Sequence, residues 1–198
     1  MTRDNYETDH THGSSHEHHS DDLACVSFGV LTVSSSRTLG SDESGDAIVE
    51  AIESAGHMVQ VRDLVTDDED AIRGGVRTFL DDEVDAIVTT GGTGLTADDV
   101  TPDALEALFD REIPGFGERF RARSIEQVGP HGMLTRAKAG VIEGVPVFCL
   151  PGSESAARFG VSELVVPVVG HVVGLLDNGS DSNDGTDASS QDAHGGQP

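Results

Sequence analysis

Three glycines fall within four residues at Gly91-Gly92-Thr93-Gly94, directly after the β-rich run Val84–Thr90, and Asp98 and Asp99 stand just beyond them. Glycines this dense at one turn imply backbone conformations that side chains oppose. Such a turn can aim consecutive backbone N–H groups into a concavity that binds phosphate or carboxylate. Carboxylates beside an anion cradle make chemical sense when a cation lies between them. Mg²⁺ is the natural choice, held by one or two carboxylates together with phosphate oxygens. Two other turns end strand-like runs in the same manner, Ser34-Ser35-Ser36-Arg37 and Pro151-Gly152-Ser153. The acidic cluster Asp67-Asp68-Glu69-Asp70 also follows a strand-like run. In a chain this acidic it reads first as an acidic first helical turn stabilised by the helix dipole, with part of a cation site as the alternative.

Two common anion sites fail on context. The run Gly92–Ala97 matches G-x-G-x-x-A formally, yet that fingerprint needs a helix opening at the glycines and another strand soon afterwards. Here Asp98–Pro102 intervene, and no strand follows until about residue 139. A phosphate-binding P-loop needs a lysine after its glycines; the only lysine is Lys138.

The elements that must hold these turns alternate along the chain. Cys25–Val33 reads as a buried strand, and Ser44–Ala55 as a helix with Ala47, Ile48, Ala51 and Ile52 on one face and Gly56 behind it as terminator. His57–Val65 is a second strand, Asp68–Leu80 a second helix, and Val84–Thr90 a third strand. Thr101-Pro102-Asp103 announces a helix, with the threonine hydroxyl as N-cap and proline in the first turn. Phe116–Gln127 and Ser155–Leu176 have helical spacing, with the strand Val145–Leu150 between them. This order predicts a three-layer α/β/α domain with a mostly parallel sheet, whose ligands bind beyond the carboxyl ends of the strands.

Composition narrows the setting. Acidic residues number 36 against 12 basic ones, a formal charge of −24. Most of the excess lies between the tails. Such a surface repels nucleic acid and anionic membranes. It suits a protein that works in concentrated salt, where its own repulsion is screened within a few ångströms. We read it as a halophile signature. No apolar run approaches the ~20 residues that span a bilayer, and the N-terminus has no secretory pattern. Cys25 and Cys149 both lie in apolar runs and are expected as buried, reduced thiols of a cytoplasmic protein. Residues 1–22, with His10, His12, His16, His18 and His19, and residues 177–198 read as polar, disordered tails flanking a domain over 23–176.

Four motifs together resemble the signature of the MoaB/MogA family of molybdenum cofactor biosynthesis proteins. They are Thr89–Gly94, Asp99-Val100-Thr101-Pro102-Asp103-Ala104, Ile113-Pro114-Gly115-Phe116-Gly117-Glu118 and Leu150-Pro151-Gly152-Ser153. The likeness runs from about Val26 to Leu176 and, with the charge, suggests a halophilic archaeal type. It implies a molybdopterin-binding fold, a homotrimer or hexamer, and Mg²⁺-dependent transfer of AMP from ATP to the terminal phosphate of molybdopterin. The product would pass to a separate MoeA-like metal-insertion enzyme. By resemblance, Asp67 and Asp99 match the functional aspartates and would hold the metal. Gly91, Gly92, Thr93, Gly94, Pro151, Gly152 and Ser153 would cradle the pterin phosphate, while Ser36, Arg37, Asp42 and Ser44 would line the nucleotide side. The chain departs from the family where Asp98 replaces a common arginine, where no acid precedes Arg37, and where Glu154 replaces a common proline. A non-catalytic molybdopterin carrier and a CinA-like nucleotide pyrophosphatase are the alternatives. The latter is suggested by Thr96-Ala97-Asp98-Asp99.

Overall fold

A computed structural model describes residues 22–181, with side chains described through Asn178. The tail expectations, including that for the N-terminal histidines, lie almost wholly outside these residues. The elements follow in the order β1 (Ser27–Val33), α1 (Glu43–Ser54), β2 (Met58–Val65), α2 (Glu69–Asp81), β3 (Ala86–Thr90), α3 (Thr101–Glu106), β4 (Arg111–Glu112), α4 (Pro114–Val128), β5 (Lys138–Ile142), β6 (Val145–Leu150), α5 (Glu154–Gly160) and α6 (Val166–Asp181). They build one six-stranded sheet in the order β2-β1-β3-β6-β5-β4. Strands β2, β1, β3 and β6 are parallel, whereas β5 runs antiparallel to β6 and β4 antiparallel to β5.

Alternation along the strands divides the core into two layers. Phe28, Val30, Val88, Phe148 and Leu150 face Ile48 and Ile52 of α1, Phe120 of α4 and the valines of the C-terminal helices. Leu31, Val33, Ile87 and Val147 face Ile72, Val76 and Phe79 of α2 and Leu105 of α3. The mostly parallel three-layer expectation holds. The antiparallel β5–β6 hairpin is the addition, turning at Glu143-Gly144 with both residues at positive φ (50° and 85°), the geometry of a tight two-residue hairpin turn.

Smaller differences have physical reasons. Val100, not Thr101, occupies the N-cap of α3. The Thr101 side chain is buried under the glycine turn, with its hydroxyl unpaired among the described residues. Cys149 is buried as expected, but Cys25 is exposed, because it precedes the first paired residue of β1. The long C-terminal helix is interrupted by a π turn at Val161–Val165 and continues to Asp181. Contrary to the expectation from apolar runs, Glu154–Asn178 is long and apolar enough by composition to cross a membrane. Its valines 161, 165, 169 and 173 are buried in the first core layer, so that side of the helix already has a partner.

The topology also positions the site. From β1 the chain steps to β2 on one side, and β3 later pairs on the other. The crevice that binds ligands in open parallel sheets therefore opens between the carboxyl ends of β1 and β3. Because β5 is antiparallel, the residues just before it reach the same edge of the sheet.

Candidate active site

A cleft of about 490 Å³ opens at this edge. It is walled by Ser34, Ser36 and Arg37 after β1, the four residues Gly91–Gly94 after β3, Pro151–Ser153 after β6, and Thr135 before β5, with Asp99 beside the glycines. Of the residues expected from sequence, the glycine turn, Pro151, Gly152, Ser153, Ser36, Arg37 and Asp99 converge here. Asp42, Ser44 and Asp67 do not line it.

The glycine turn can be built only from glycines at two positions. Gly91 has φ +106°, and a Cβ there would stand 2.2 Å from the Val33 carbonyl oxygen. Gly92 has φ +61°, and its Cβ would stand 2.4 Å from Thr101 Oγ1. The chain thus folds over the end of β1 and the start of α3 with no room to spare. Its carbonyls are directed inward. Gly92 O accepts from Thr101 N (3.1 Å), Thr93 O from Arg136 N (2.9 Å) and Gly94 O from Arg136 Nε (3.0 Å). The N–H groups of Gly92 and Thr93 donate to no other group among the described residues. Carbonyls tied back and N–H groups left over make a local positive potential suited to an anion. Thr90 Oγ1 donates to Pro151 O (2.9 Å), which joins this turn to the loop after β6.

Asp99 packs against the turn. Its Oδ2 accepts from both the N–H (2.8 Å) and hydroxyl (2.6 Å) of Thr96. Partial burial pushes its pKa up. The Thr96 hydroxyl, the backbone of Gly94 and Thr96, and the Arg136 charge outweigh this and hold the carboxyl below its ordinary range. Asp99 is therefore an anion at any working pH. Asp98 is exposed and takes no part in the cleft lining.

Arg136 is the residue that sequence reading missed. Besides Gly94 O, its guanidinium donates to the Asp99 carbonyl and to both carboxylate oxygens of Asp103 (3.0 and 2.8 Å). One side chain thus clamps the glycine turn, the Asp99 loop and the start of α3. Its neighbour Thr135 exchanges a hydrogen bond with Thr93 (Oγ1···Oγ1 3.2 Å). No local motif marks either residue. The only signal was the scarcity of basic residues, which makes each one informative.

Arg37 ties the first wall to the third. Its Nη1 donates to Ser44 Oγ (2.8 Å) and Gly152 O (3.1 Å). Asp42, expected on the nucleotide side, lies behind it. Its buried carboxylate accepts from Thr32 Oγ1 (2.5 Å), Ser44 Oγ (3.0 Å), Gly45 N (3.0 Å) and Arg62 Nη2 (2.8 Å). Burial raises its pKa, and these hydrogen bonds more than offset that, leaving the group below its usual value. Asp42 caps α1 and Ser44 carries its orienting effect to Arg37, a supporting role in place of ligand contact. In the other cluster, Asp68 caps α2 by accepting from Ala71 N (2.9 Å), while Glu69 and Asp70 pair with Arg73. The acidic-turn reading therefore accounts for those three. Asp67 stands apart and accepts from Ser35 N (2.6 Å), bracing the loop that carries Arg37. Among the described residues no three carboxylate, imidazole or thiol groups converge, so a cation here would draw its remaining ligands from a bound phosphate.

The family profile "Probable molybdopterin binding domain" matches residues 29–171. The chain is 39% identical to molybdenum cofactor biosynthesis protein B of Bacillus subtilis over 159 residues, covering 79% of this chain and 94% of the relative. The protein of the same name from Bacillus cereus is 41% identical over 145 residues, 72% and 86% of the two chains. Among solved structures, a molybdenum cofactor biosynthesis protein B superposes with a TM-score of 0.74 at 39% identity, covering 77% of this chain and 96% of that one. The tungsten cofactor synthesizing protein MoaB of Pyrococcus furiosus gives 0.69 at 38%, covering 75% and 95%. CinA of Thermoplasma acidophilum gives 0.54 at 19% identity over 74% and 99%, a likeness of fold alone.

Proposed function

The chain belongs to the family of probable molybdopterin-binding domains, and on that premise we propose that it serves molybdenum cofactor biosynthesis as an adenylyltransferase. In this reading the terminal phosphate of molybdopterin attacks the α-phosphorus of ATP, a P–O bond forms, and pyrophosphate leaves with the broken bond's electron pair. The observation that carries it is the glycine turn. Its carbonyls from Gly92 to Gly94 are bonded inward, the Gly92 and Thr93 N–H groups are left for a ligand, and Arg37 shares the cleft.

Joining two anions is mainly a problem of positioning and charge. The turn and Ser153 would hold the pterin phosphate, and Arg37, fixed by Ser44 and Gly152, would face the nucleotide phosphates together with Ser36. A phosphate nucleophile is already ionised, so no general base is needed. Asp99 and Asp67 would hold Mg²⁺, which supplies charge neutralisation between the reactants when bound. The donor set at Asp99 fits such an ion, since it is a carboxylate kept ionised at the lip of an anion cradle. The adenylylated product would pass to a MoeA-like enzyme, and the working unit would be a homotrimer or hexamer.

One observation favours a non-catalytic, pterin-carrying reading: among the described residues Asp99 is the only carboxylate in the cleft lining, and Asp67 is spent on Ser35. Incubation with molybdopterin, ATP and Mg²⁺ in molar salt, followed for pyrophosphate, separates the two. Release of pyrophosphate is the expected result. Bound pterin without pyrophosphate would establish the carrier.

A further inference from the structure

Among the described residues that line the glycine cleft, one apolar side chain is exposed. It is Leu134, with 49% of its surface open to solvent. Val33, also apolar, is buried there, and Pro151 is half-buried. A leucine offers a phosphate no hydrogen bond. Single exposed leucines are ordinary on a protein surface, but this one is held in place by its neighbours.

The chain leaves α4 at Gly129 (φ +72°) and forms a 3-10 segment over Gly129–Leu134. Gly132 presses that segment onto α4, since a Cβ there would stand 2.6 Å from Ile125 N. Just beyond it, Thr135 Oγ1 meets Thr93 Oγ1 at 3.2 Å, and Arg136 N donates to Thr93 O (2.9 Å). The main chain of Leu134 is therefore anchored on both sides. The second anchor is Thr93, whose own N–H is left for a ligand. Leu134 thus stands one residue from the group that grips the anion-binding turn, with half of its side chain still in water. Closing over an occupied cleft would take that remaining surface out of water, a gain that a water-filled cleft does not provide.

The reaction proposed above has a competitor that is always present. Water attacking the α-phosphorus of ATP would form a new P–O bond and break the bridge to the β-phosphate. Pyrophosphate would leave with the electron pair, AMP would be the other product, and the water proton would pass to solvent. We propose that Leu134 closes over the bound phosphates and keeps water from them, so that AMP is passed to a phosphate acceptor and ATP is spared hydrolysis. The inference rests on the transferase reading of the cleft and adds its choice between acceptors.

Two measurements test it. The first is release of pyrophosphate and AMP from ATP and Mg²⁺ with no pterin present. Serine at this position has no apolar surface to withdraw from water, so Leu134→Ser should raise this hydrolysis about five- to tenfold, the rate equivalent of burying the exposed half of a leucine. Leu134→Met should stay at the wild-type level. Unchanged hydrolysis in Leu134→Ser, in a protein that does transfer AMP to molybdopterin, would overturn the proposal and leave the transferase reading standing. The second measurement needs no turnover. Cys149 is buried and Cys25 exposed, so Leu134→Cys in a Cys25→Ser background carries one accessible thiol. ATP with Mg²⁺ should slow its reaction with a disulfide reagent severalfold. An unchanged labelling rate would overturn the proposal. So would a thiol already unreactive without ligand, which would assign Leu134 to a contact between copies of the chain. Protection by ATP in a protein that releases no pyrophosphate under any condition would sink the transferase reading and uphold the cover.

Discussion

Gly94→Ala separates the chemistry of the site from its scaffold. Gly94 lies outside the left-handed region, so alanine meets no backbone objection there. Its Cβ would stand 2.7 Å from Asp99 Oδ2 and 3.0 Å from Oδ1, well inside ordinary contact of about 3.5 Å. The obstacle is the end of a side chain, which can turn away by close to ~1 Å. Doing so strains or breaks the two bonds from Thr96, a loss of about 1–2 kcal/mol at a half-exposed charged acceptor. Restricting the unfolded chain returns about 0.4–1 kcal/mol. The net destabilisation is therefore near ~1 kcal/mol, readable as a small shift in urea midpoint. A reacting group displaced by ~1 Å costs about 100-fold in rate, so pyrophosphate release at saturating ATP, Mg²⁺ and molybdopterin should fall by that factor. Gly91→Ala is the contrast. Its Cβ meets the Val33 carbonyl oxygen at 2.2 Å, and φ is +106°, so it should fail to fold. A Gly94→Ala protein with wild-type turnover would refute the assignment of Asp99 to the reaction. One that unfolds like Gly91→Ala would assign the residue to the scaffold.

Arg136→Lys replaces a planar fork by a point charge that cannot serve Gly94 O, the Asp99 carbonyl and Asp103 at once. We expect the KM for molybdopterin to rise about tenfold, from the loss of charged hydrogen bonds, with the melting curve shifted only slightly; a KM within twofold of wild type would refute the clamp. Asp42→Asn leaves the Arg62 guanidinium facing a neutral amide in a buried network, and should destabilise by about 3 kcal/mol in chemical denaturation. Asp42 and Asp99 are both held below their ordinary pKa. Their contribution is therefore fully present above the unfolded value near ~3.9 and is lost as pH falls through the folded values. Wild-type stability should be level from neutrality to about pH 5 and decline below ~4, and Asp42→Asn should show a shallower decline. Burial pushes the Cys149 thiol up to about 12, and Cys25 is exposed. A disulfide reagent at about pH 8, where ordinary thiols near ~8.5 are partly ionised, should modify one thiol in the native protein and two after unfolding.

What the sequence made legible is what short-range physics writes into neighbouring residues. β-rich runs ending in Gly-Gly-Thr-Gly, Ser-Ser-Ser-Arg and Pro-Gly-Ser named three of the cleft's walls, since strand periodicity and turn chemistry are local. The fourth wall was hidden. Arg136 lies 42 residues from Gly94 and reaches it only because β5 runs antiparallel. The sign of that pairing depends on Glu143-Gly144, a tight hairpin turn that could have been read from a glycine between two apolar runs. The aspartates are hard to tell apart in the sequence for a different reason. An aspartate that caps a helix, one that braces a loop and one that holds a cation share a residue type and a position after a strand. Asp42, Asp67 and Asp99 separate only by where their lone pairs are spent: four donors for Asp42, the Ser35 N–H for Asp67, and Thr96 at the cleft for Asp99. The same accounting turns the glycine motif from a pattern into a site. The motif is special because every carbonyl from Gly92 to Gly94 is bonded inward, which leaves the N–H groups of Gly92 and Thr93 to whatever anion the cleft admits.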